Sequence, residues 1–438
     1  MRYRLMFQPA LRFAAAIIAL SAMPAAACAN QAVPAAQSAA ARQRLQIFDY
    51  VWAEVRDKYY DPGLNGVDWG AARARYRPMA AAAGDDAALH EVLRSMLGEL
   101  RDSHTRVLDA RQARNRRAQQ TSSAGAILFE VEGQPVVFDI VPDSPAAEAG
   151  LRVGMRVLAV DGVPVAEALA RARAEVGPSS SERAALVLSY LRLISGLPET
   201  PLRLRLVGTD GREFDVALPR RALATAPRFE ARRLPSGHLY VRFDRFREPV
   251  AREFRAALEN FRGGPGLIID LRSNTGGDGE EGMRTIAPLF DGPTLIARLA
   301  TRTGRAPSAL LGLVRLPLEL TAGEPGRQLY SGPVVVLTNQ ATGSTSEVIA
   351  AALQERRRAR IVGMQSCGCA LGVLRYRNLR SGGALAISEI GLVTGLGRRI
   401  EGVGVLPDVS VPLRLSDFQQ GRDLVLDAAV RELEAMQR

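Results

Sequence analysis

The stretch that decides the fold is Leu267-Ile268-Ile269-Asp270-Leu271-Arg272-Ser273-Asn274-Thr275-Gly276-Gly277. Its mostly apolar beginning predicts a buried strand over 267–271, and its polar end with a glycine pair predicts a turn. An amphipathic helix is predicted before it, over 250–261, and a further apolar strand after it, over 333–338. Strands that alternate with helices indicate an α/β domain, in which the loops at the strand ends carry the chemistry.

The length and composition limit the class of protein. At roughly 150 residues per domain, a chain of 438 residues predicts about three domains. Its 47% hydrophobic and 24% charged residues are ordinary for a globular protein. A wholly disordered, collagenous or coiled-coil protein is therefore excluded. A polytopic membrane protein is excluded as well, because only the N-terminus carries a long apolar run.

The basic residues are almost all arginine. The chain carries 57 basic and 46 acidic residues, a formal net charge of +11, and Lys58 is its single lysine. The arginines are scattered among acids, without a basic stripe interleaved with aromatic residues, so nucleic-acid binding is not predicted. Any mechanism that needs a catalytic lysine must use Lys58.

The first 29 residues are predicted to be a secretory signal peptide. Positive charge precedes a short apolar run over 14–23, and small residues follow it at the expected cleavage region. The protein is therefore expected to be exported and periplasmic. Cys28 follows three alanines, as in a lipoprotein signal, and its lipidation would tether the protein to a membrane. A plain signal peptide is the alternative.

Residues 30–110 are predicted to form an N-terminal helical domain. Residues 30–42 are rich in Ala, Gln and Pro and predict a flexible linker. From Arg44 onward, apolar residues recur at helical spacing. The polar, basic segment over 111–123 predicts a mobile connection to the next domain.

Residues 121–219 resemble a PDZ domain. The resemblance rests on the run Val141-Pro142-Asp143-Ser144-Pro145-Ala146-Ala147-Glu148-Ala149-Gly150-Leu151 and on the turn Val160-Asp161-Gly162. A generic small β domain is the alternative. PDZ domains add an extended peptide to a sheet edge and hold its terminal carboxylate in a backbone nest. We place that nest in the loop formed by Gly125, Ala126, Ile127 and Leu128.

Ser344 is the first candidate for chemistry. It lies at the turn between the apolar strand Val334–Leu337 and a predicted helix. The unpaired N–H groups and the dipole of a helix start favour negative charge. An attacking serine there would place an oxyanion beside the N–H of Thr345. The alternative is a capping box, because Glu347 follows three residues later.

Two further features fit a serine nucleophile. The backbone of Gly276 or Gly277 could supply a second oxyanion donor, although a glycine pair after a strand is also an ordinary turn. A nucleophilic serine needs a base, and the lysine count leaves histidine as the base. His104 is one of three histidines, and a purely structural histidine is the alternative.

Taken together, these segments resemble the C-terminal processing (tail-specific) serine peptidase family. The likeness covers nearly all of the chain after the signal peptide. It rests on Tyr59-Tyr60-Asp61-Pro62 with Asp68-Trp69, on the PDZ run, on Asp270-Leu271-Arg272-x-Asn274-x-Gly276-Gly277, on Gly343-Ser344-x-Ser346-Glu347 and on Gly402-x-Gly404-Val405-x-Pro407-Asp408. The resemblance implies that Ser344 is the nucleophile and that residues 220–438 form an α/β catalytic domain of the ClpP/crotonase-like kind.

One departure from that family concerns the base. Where the processing peptidases carry a lysine after the nucleophile, this chain has Cys369. The sequence is instead similar to the tricorn core protease branch, which uses a histidine preceded by a serine, together with a distant glutamate. That similarity implies His104 as general base, oriented by Glu401 with help from Ser103.

The expected activity is that of a serine endopeptidase which captures protein or peptide substrates through its PDZ domain. No cofactor or metal is expected, since Cys367, Cys369 and three scattered histidines make a poor zinc site. The two cysteines could form a bridge, remain free or fill the space of the absent lysine. The alternative function is a catalytically inactive PDZ peptide-binding or scaffold protein on a peptidase fold. A non-peptide hydrolase such as an esterase would use the same residues.

Overall fold

The structure is a computed structural model that describes residues 35–118, 120–196, 200–224, 226–306, 308–309, 314–315 and 317–438. Residues 41–438 form one compact unit. The predicted signal peptide, with Cys28, lies outside the described residues. Within these ranges, no helix has both the length and the apolar character needed to span a bilayer.

The N-terminal segment is helical, as its spacing predicts. Its elements are α1 (Ala35–Lys58), α2 (Trp69–Ala82), α3 (Asp86–Gly98), β1 (Arg106–Leu108) and α4 (Ala110–Arg117). A 3-10 turn spans Leu64–Gly66. The predicted linker over 30–42 is wrong from Ala35 onward, where α1 begins; its alanines and glutamines favour a helix. Residues 30–34 of that linker are outside the described ranges.

The middle of the chain has the elements of the predicted β domain. They are β2 (Gln120–Ser123), β3 (Ala126–Val131), β4 (Gln134–Ile140), α5 (Pro145–Glu148), β5 (Arg156–Val160), β6 (Val163–Pro164), α6 (Val165–Val176), α7 (Glu182–Ile194), β7 (Pro201–Val207), β8 (Glu213–Pro219) and β9 (Arg221–Ala224). The sheet has the order β3-β4-β5-β7-β8, with β6 paired to β5 and β3 at an edge.

The predicted mobile connection over 111–123 is wrong. Helix α4 occupies most of it, and β2 pairs with β9 to close the β domain. A capping box starts the helix: Asp109 accepts from the N–H of Gln112, whose side chain in turn accepts from the N–H of Asp109. The polar composition of this segment is thus that of a capped surface helix.

The C-terminal half is the predicted α/β domain. Its helices are α8 (Val250–Asn260), α9 (Gly279–Ile286), α10 (Thr345–Glu355), α11 (Leu415–Gln419) and α12 (Leu424–Met436). A 3-10 turn spans Ala287–Leu289. Its strands are β10 (Phe229–Arg233), β11 (Leu239–Phe243), β12 (Leu267–Asp270), β13 (Thr294–Ala300), β14 (Ser308–Ala309), β15 (Val314–Arg315), β16 (Glu319–Ala322), β17 (Val334–Thr338), β18 (Arg360–Gly363), β19 (Leu371–Gly372), β20 (Tyr376–Asn378), β21 (Ala384–Ala386), β22 (Ile390–Thr394) and β23 (Val409–Ser410).

The main sheet of this domain has the order β10-β11-β12-β17-β18-β23. All its neighbouring pairs are parallel except β10 with β11. β12 and β17 are fully buried, as expected for parallel strands covered on both faces. The loops that follow β12, β17 and β18 therefore leave the sheet at the same edge.

A small second sheet brings the N-terminal segment to the α/β domain. Strand β1 pairs antiparallel with β21, which in turn pairs with β20. Next to this pairing, the N–H of Tyr60 donates to the carbonyl of Ser388 at 2.8 Å, and the hydroxyl of Thr105 lies 3.2 Å from Ser388 Oγ. The residues just before β1, including His104, are thereby held against the C-terminal half of the chain.

A partly buried ion-pair network lies at the carboxyl end of β12, in the middle of the main sheet. The guanidinium of Arg272 donates to both oxygens of Asp270, with its shortest distance 2.7 Å, and to both oxygens of Asp423, at 2.8 and 2.7 Å. Asp270 ends β12, and Asp423 is the N-cap of α12. The aspartate and arginine of the D-L-R motif thus join the sheet to the last helix.

We predict that Arg272→Met lowers the free energy of unfolding by about 3–5 kcal/mol, because Asp270 would be left in the interior without its cation. Chemical denaturation would measure the change. The control is Arg205→Met, which removes a solvent-exposed pair with Asp215 and should leave the midpoint unchanged. Equal stability of the two variants would contradict the structural role of the motif.

Candidate active site

Ser344 lies at the start of α10, in the loop that follows β17. It is half-buried and has a left-handed backbone with φ of 54° and ψ of −123°. This conformation is costly for a residue with a Cβ, and such strain is common where a side chain must be presented for chemistry. The N–H of Ser344 donates to the carbonyl of Cys369 at 3.1 Å.

The glycine loop after β12 lies directly against Ser344. A Cβ added to Gly276 would lie 2.7 Å from Ser344 Cβ and 2.8 Å from the carbonyl of Gly343. Gly276 also has a φ of 99°, so this position needs glycine for two independent reasons. The close approach brings backbone groups of the two loops to one point.

Asn274 joins the two loops. Its Oδ1 accepts from the N–H of Gly276 at 3.0 Å and from Ser346 Oγ at 2.8 Å, and its Nδ2 donates to the carbonyl of Phe243 at 3.0 Å. Because the asparagine is fully buried, this network fixes the glycine loop relative to α10.

The backbone donors near Ser344 are not equivalent. The N–H of Gly276 is already bonded to Asn274. Among the described residues, the N–H groups of Gly277 and Thr345 have no hydrogen-bond partner. Thr345 Oγ1 donates to the carbonyl of Gly277 at 2.8 Å, which holds these two residues together. Gly277 and Thr345 are thus the available pair, and Gly276 is a packing residue.

Glu347 organises the loop that carries the two cysteines. Its buried carboxylate accepts from Ser366 Oγ at 2.5 Å and from the N–H groups of Gly368 and Cys369 at 2.6 and 2.9 Å. It also accepts from the N–H of Ser344 at 3.2 Å. Burial raises its pKa, and the four donors oppose that rise. Glu347 therefore does more than form a capping box with Ser344, because it also binds the loop that carries the two cysteines.

Cys367 and Cys369 are joined by a disulfide bond. Of the three states left open by the sequence, the structure has the bridge. Cys367 donates its N–H to the carbonyl of Thr342 at 2.9 Å, while the carbonyl of Cys369 accepts from Ser344. The bridged loop thus occupies the position of the absent lysine and holds the backbone of the candidate nucleophile.

His104 lies half-buried in a turn just before β1. The ring Nδ1 of His104 is 2.9 Å from Ser103 Oγ. The backbone N–H of His104 donates to Asp102 Oδ1 at 2.7 Å. Asp102 Oδ2 also accepts from Thr105 Oγ1 at 2.5 Å. Desolvation of the ring lowers the pKa of His104 well below 6.5, although the charge of Asp102 opposes this shift. The imidazole is therefore neutral near pH 7.

Ser180 lies between Ser103 and Glu401. Its hydroxyl lies 2.9 Å from Ser103 Oγ and accepts from the N–H of Ser103 at 3.0 Å. Glu401 is buried and accepts from the N–H of Ala370 at 2.6 Å. Burial raises its pKa to about 7, and the nearby Ser180 hydroxyl opposes that rise.

The structure thus joins His104 to Ser103 and Ser103 to Ser180 by hydrogen bonds, with the buried Glu401 close to the Ser180 hydroxyl. Within the described ranges, no hydrogen bond joins His104 directly to Ser344. The link between them runs through the backbone: Glu401 binds Ala370, and the carbonyl of Cys369 binds Ser344. Contacts between base and nucleophile are often long in an unliganded enzyme and shorten when substrate binds.

The residues predicted for the carboxylate nest begin an edge strand. Only Gly125, with a φ of 85°, lies in the turn, whereas Ala126, Ile127 and Leu128 are the first residues of β3. A Cβ on Gly125 would lie 2.1 Å from Ser144, so the glycine allows the close approach of the S-P-A-A run. Leu128 shares a buried core with Tyr190 of α7.

Sequence reasoning gave no role in the site to Asp102, Asn274 or Ser180, and gave Glu347 only that of a helix cap. Asn274 and Glu347 belong to motifs that resemble the peptidase family, and Asp102 directly precedes the Ser103-His104 pair, but the sequence does not show their hydrogen bonds. Ser180 belongs to the run Pro178-Ser179-Ser180-Ser181, and no local signal distinguishes it from its neighbours. Its position next to Ser103 depends on how the β domain packs against the N-terminal segment.

Comparison with known proteins identifies the class of the molecule as a peptidase of the serine type with a PDZ domain. Three family profiles match successive segments: the Tricorn protease C1 domain over 40–98, a PDZ domain over 136–176 and Peptidase family S41 over 237–411. The match of residues 237–411 to Peptidase family S41, together with the other two profiles, confirms the predicted resemblance and fold.

Its relatives include both branches that the sequence resembles. It is 28% identical to the putative tricorn protease homolog 2 of Streptomyces coelicolor, over 88% of this chain but only 32% of that protein. It is 27% identical to the carboxyl-terminal-processing protease of Picosynechococcus sp., over 82% of this chain and 81% of that protein. A solved photosystem II D1 C-terminal processing protease has the same fold, with a TM-score of 0.58 at 24% identity, over 89% of this chain and 97% of that chain.

We predict that Gly276→Ala lowers kcat/KM for a cleaved peptide by at least about 100-fold, because its Cβ would displace Ser344 and the adjacent oxyanion donors. Steady-state kinetics on the folded variant would measure this. Gly292→Ala is the control, since a Cβ there would meet no heavy atom within 4 Å. An active Gly276→Ala enzyme would show that the two loops do not form the site.

Proposed function

We propose that this protein is an exported serine endopeptidase that hydrolyses peptide bonds in unfolded or C-terminally recognised proteins. Ser344 is the nucleophile, His104 the general base, and Glu401 the acid that orients the base. The observation that carries the proposal is that hydrogen bonds join His104 to Ser103 and Ser103 to Ser180, and that the Ser180 hydroxyl lies close enough to the buried Glu401 to lower its pKa. The match of residues 237–411 to Peptidase family S41 supports the same reaction.

The direction of the hydrogen bonds in the proposed relay between Glu401 and His104 decides whether His104 can act as a base. An ionised Glu401 only accepts hydrogen bonds, so Ser180 donates to it and Ser103 donates to Ser180. His104 then donates from Nδ1, which leaves Nε2 unprotonated and able to take a proton. Protonated Glu401 would reverse the chain and leave the proton on Nε2, the wrong tautomer for a base.

The reaction itself is acyl transfer. Ser344 Oγ attacks the scissile carbonyl carbon while its proton moves to His104 Nε2. The oxyanion lies beside the N–H groups of Gly277 and Thr345, at the positive end of α10. The proton then passes to the leaving amine as the C–N bond breaks. Water hydrolyses the acyl-enzyme by the same route and restores the serine hydroxyl.

The PDZ domain has two roles in this proposal. Its edge strand β3 captures an extended peptide end, and its segment between α6 and α7 supplies Ser180. Arg183 holds that segment on the α/β domain by donating to the carbonyls of Ser366 and Val403 at 2.6 and 2.7 Å. Capture of substrate and orientation of the base are therefore carried out by one domain.

We predict that a fluorophosphonate forms one covalent adduct with the wild-type protein, detected by intact mass, and none with Ser344→Ala. His104→Ala should slow labelling by about 1,000-fold or more, because the serine loses its base. His238→Ala is the control: this buried histidine has no hydrogen-bond partner among the described residues, and its labelling should match wild type.

The labelling also tests the alternative of an inactive PDZ binding protein. Absence of an adduct on folded wild type, both alone and with an unfolded protein present, would support that alternative. An adduct that appears only with the unfolded protein would instead indicate that peptide capture activates the serine.

We predict that the acid limb of kcat/KM in wild type has a midpoint of about 7, since activity needs ionised Glu401 and its pKa is raised to that value. Activity should therefore rise as pH increases through 7. In Glu401→Gln and in Ser180→Ala, activity should fall about 10- to 1,000-fold. The acid limb should also move below 6.5, where His104 alone titrates.

The double variant should lose no more activity than either single variant, because the two residues act through one chain. Ser179→Ala is the matched control, as the neighbouring Ser179 hydroxyl is buried without a hydrogen-bond partner among the described residues. An unchanged acid limb in Ser180→Ala would contradict the relay even if activity fell.

A further inference from the structure

A large cavity opens between the N-terminal segment and the PDZ domain. Its volume is about 1270 Å³. One wall is formed by β1 and α4, and the opposite wall by α6 and α7. The cavity extends to Asp102 and Ser103, the two residues before His104, whereas Ser344 is not among the residues that line it. His104 is not among the lining residues either, so an occupant would contact the residues next to the proposed base and lie outside the reacting centre.

The lining of this cavity is strongly basic. Nine of its residues are arginines and three are acids. The arginines are Arg94, Arg106, Arg111, Arg116, Arg117, Arg171, Arg192, Arg245 and Arg247. The acids are Asp102, Asp161 and Glu175. Four of these arginines, Arg94, Arg171, Arg192 and Arg245, are paired with carboxylates. The positive potential of this solvent-open surface therefore comes mainly from the β1–α4 wall.

The three acids are already engaged. Glu175 pairs with Arg192 at 2.6 Å, and Asp161 pairs with Arg220 at 3.4 Å. Asp102 accepts from the backbone and side chain next to His104. These acids therefore do not neutralise the arginines of the wall formed by β1 and α4.

The arginines of the β1–α4 wall are bound to neutral groups. Arg111 donates to the carbonyl of Gly196 at 3.1 Å, and Arg117 donates to Asn378 Oδ1 at 3.1 Å. Among the described residues, neither has a carboxylate within ion-pair distance. Their charges are therefore available to an anionic ligand.

Two more arginines surround Tyr376. Arg106 donates to its hydroxyl at 3.0 Å, and the Arg116 guanidinium lies 3.4 Å from the ring centroid. Neither has a carboxylate partner in the described part of the chain. Burial alone would raise the pKa of Tyr376, but the charges of Arg106 and Arg116 lower it below its ordinary value. The positive charge of these two arginines is thus concentrated around one side chain of this wall.

We propose that this arginine-lined cavity binds an acidic segment of the substrate polypeptide, adjacent to the bond that is cleaved. The inference rests on the proposed function and adds the substrate class: chains that carry Asp or Glu near the scissile bond. Guanidinium groups bind carboxylates in a planar, bidentate geometry that suits such side chains. Apolar residues in the same lining, such as Leu97, Val107 and Leu188, accommodate the intervening peptide.

The test uses three fluorogenic peptides that share one scissile bond and differ only in a flanking pair: Glu-Glu, Gln-Gln or Lys-Lys. At low salt, kcat/KM for the Glu-Glu peptide should exceed that for the Gln-Gln peptide by at least about tenfold, with Lys-Lys the poorest. The ratio should approach one at about 1 M salt, where the screening length is about 3 Å.

The double variant Arg116→Gln/Arg117→Gln should reduce the Glu-Glu to Gln-Gln ratio at least about threefold relative to wild type. Both residues are exposed on the last turn of α4, and thermal unfolding would confirm that the variant folds. The control Arg212→Gln changes the charge of an exposed arginine outside the cavity and should leave the ratio unchanged.

Binding to the Ser344→Ala variant separates this inference from the proposed function. Fluorescence anisotropy should give a Kd for the Glu-Glu peptide at least about tenfold below that for Gln-Gln, whether or not the wild type cleaves either one. Equal affinities and equal kcat/KM would overturn the inference while cleavage still supports the peptidase. Tighter binding of a single-stranded oligonucleotide than of the Glu-Glu peptide would also overturn it.

Discussion

The candidate site depends on the absence of a side chain at Gly276. Parallel pairing of β12 with β17 brings two loops to one edge of the sheet, and the backbone of the first loop then packs directly on Ser344. Any Cβ at this position would meet Ser344 and Gly343 within 3 Å. Because Asn274 fixes the glycine loop to α10, the serine and the free N–H groups of Gly277 and Thr345 form one rigid unit.

The proposed base, by contrast, depends on residues from separate parts of the chain. His104 and Ser103 come from the N-terminal segment, Ser180 from the PDZ domain and Glu401 from the α/β domain. The pairing of β1 with β21 and the Arg183 contacts hold these parts in register. In the proposed relay, the protonation of one imidazole depends on the docking of all three parts, which a lysine base next to the nucleophile would not require.

Much of this organisation could be predicted from the sequence. Local apolar periodicity and turn residues were enough to predict three features: the buried strand over 267–271, the amphipathic helix over 250–261 and the PDZ run. The linker over 30–42 and the mobile connection over 111–123 were wrong where α1 and α4 cover them. Polar and alanine-rich composition is shared by loops and by surface helices, and only the helix caps and the packing separate the two.

The sequence by itself determined the elements, the family and the residue types able to do chemistry; the lysine count also directed attention to His104. Tertiary structure decided which groups share a hydrogen bond. In the folded chain, Asn274 binds the N–H of Gly276, and a disulfide lies where the lysine is absent. Of three adjacent serines, Ser180 is the one that binds Ser103. The physical reason is that hydrogen bonds and charge effects act over a few ångströms between residues far apart in sequence, so they exist only after the domains have docked.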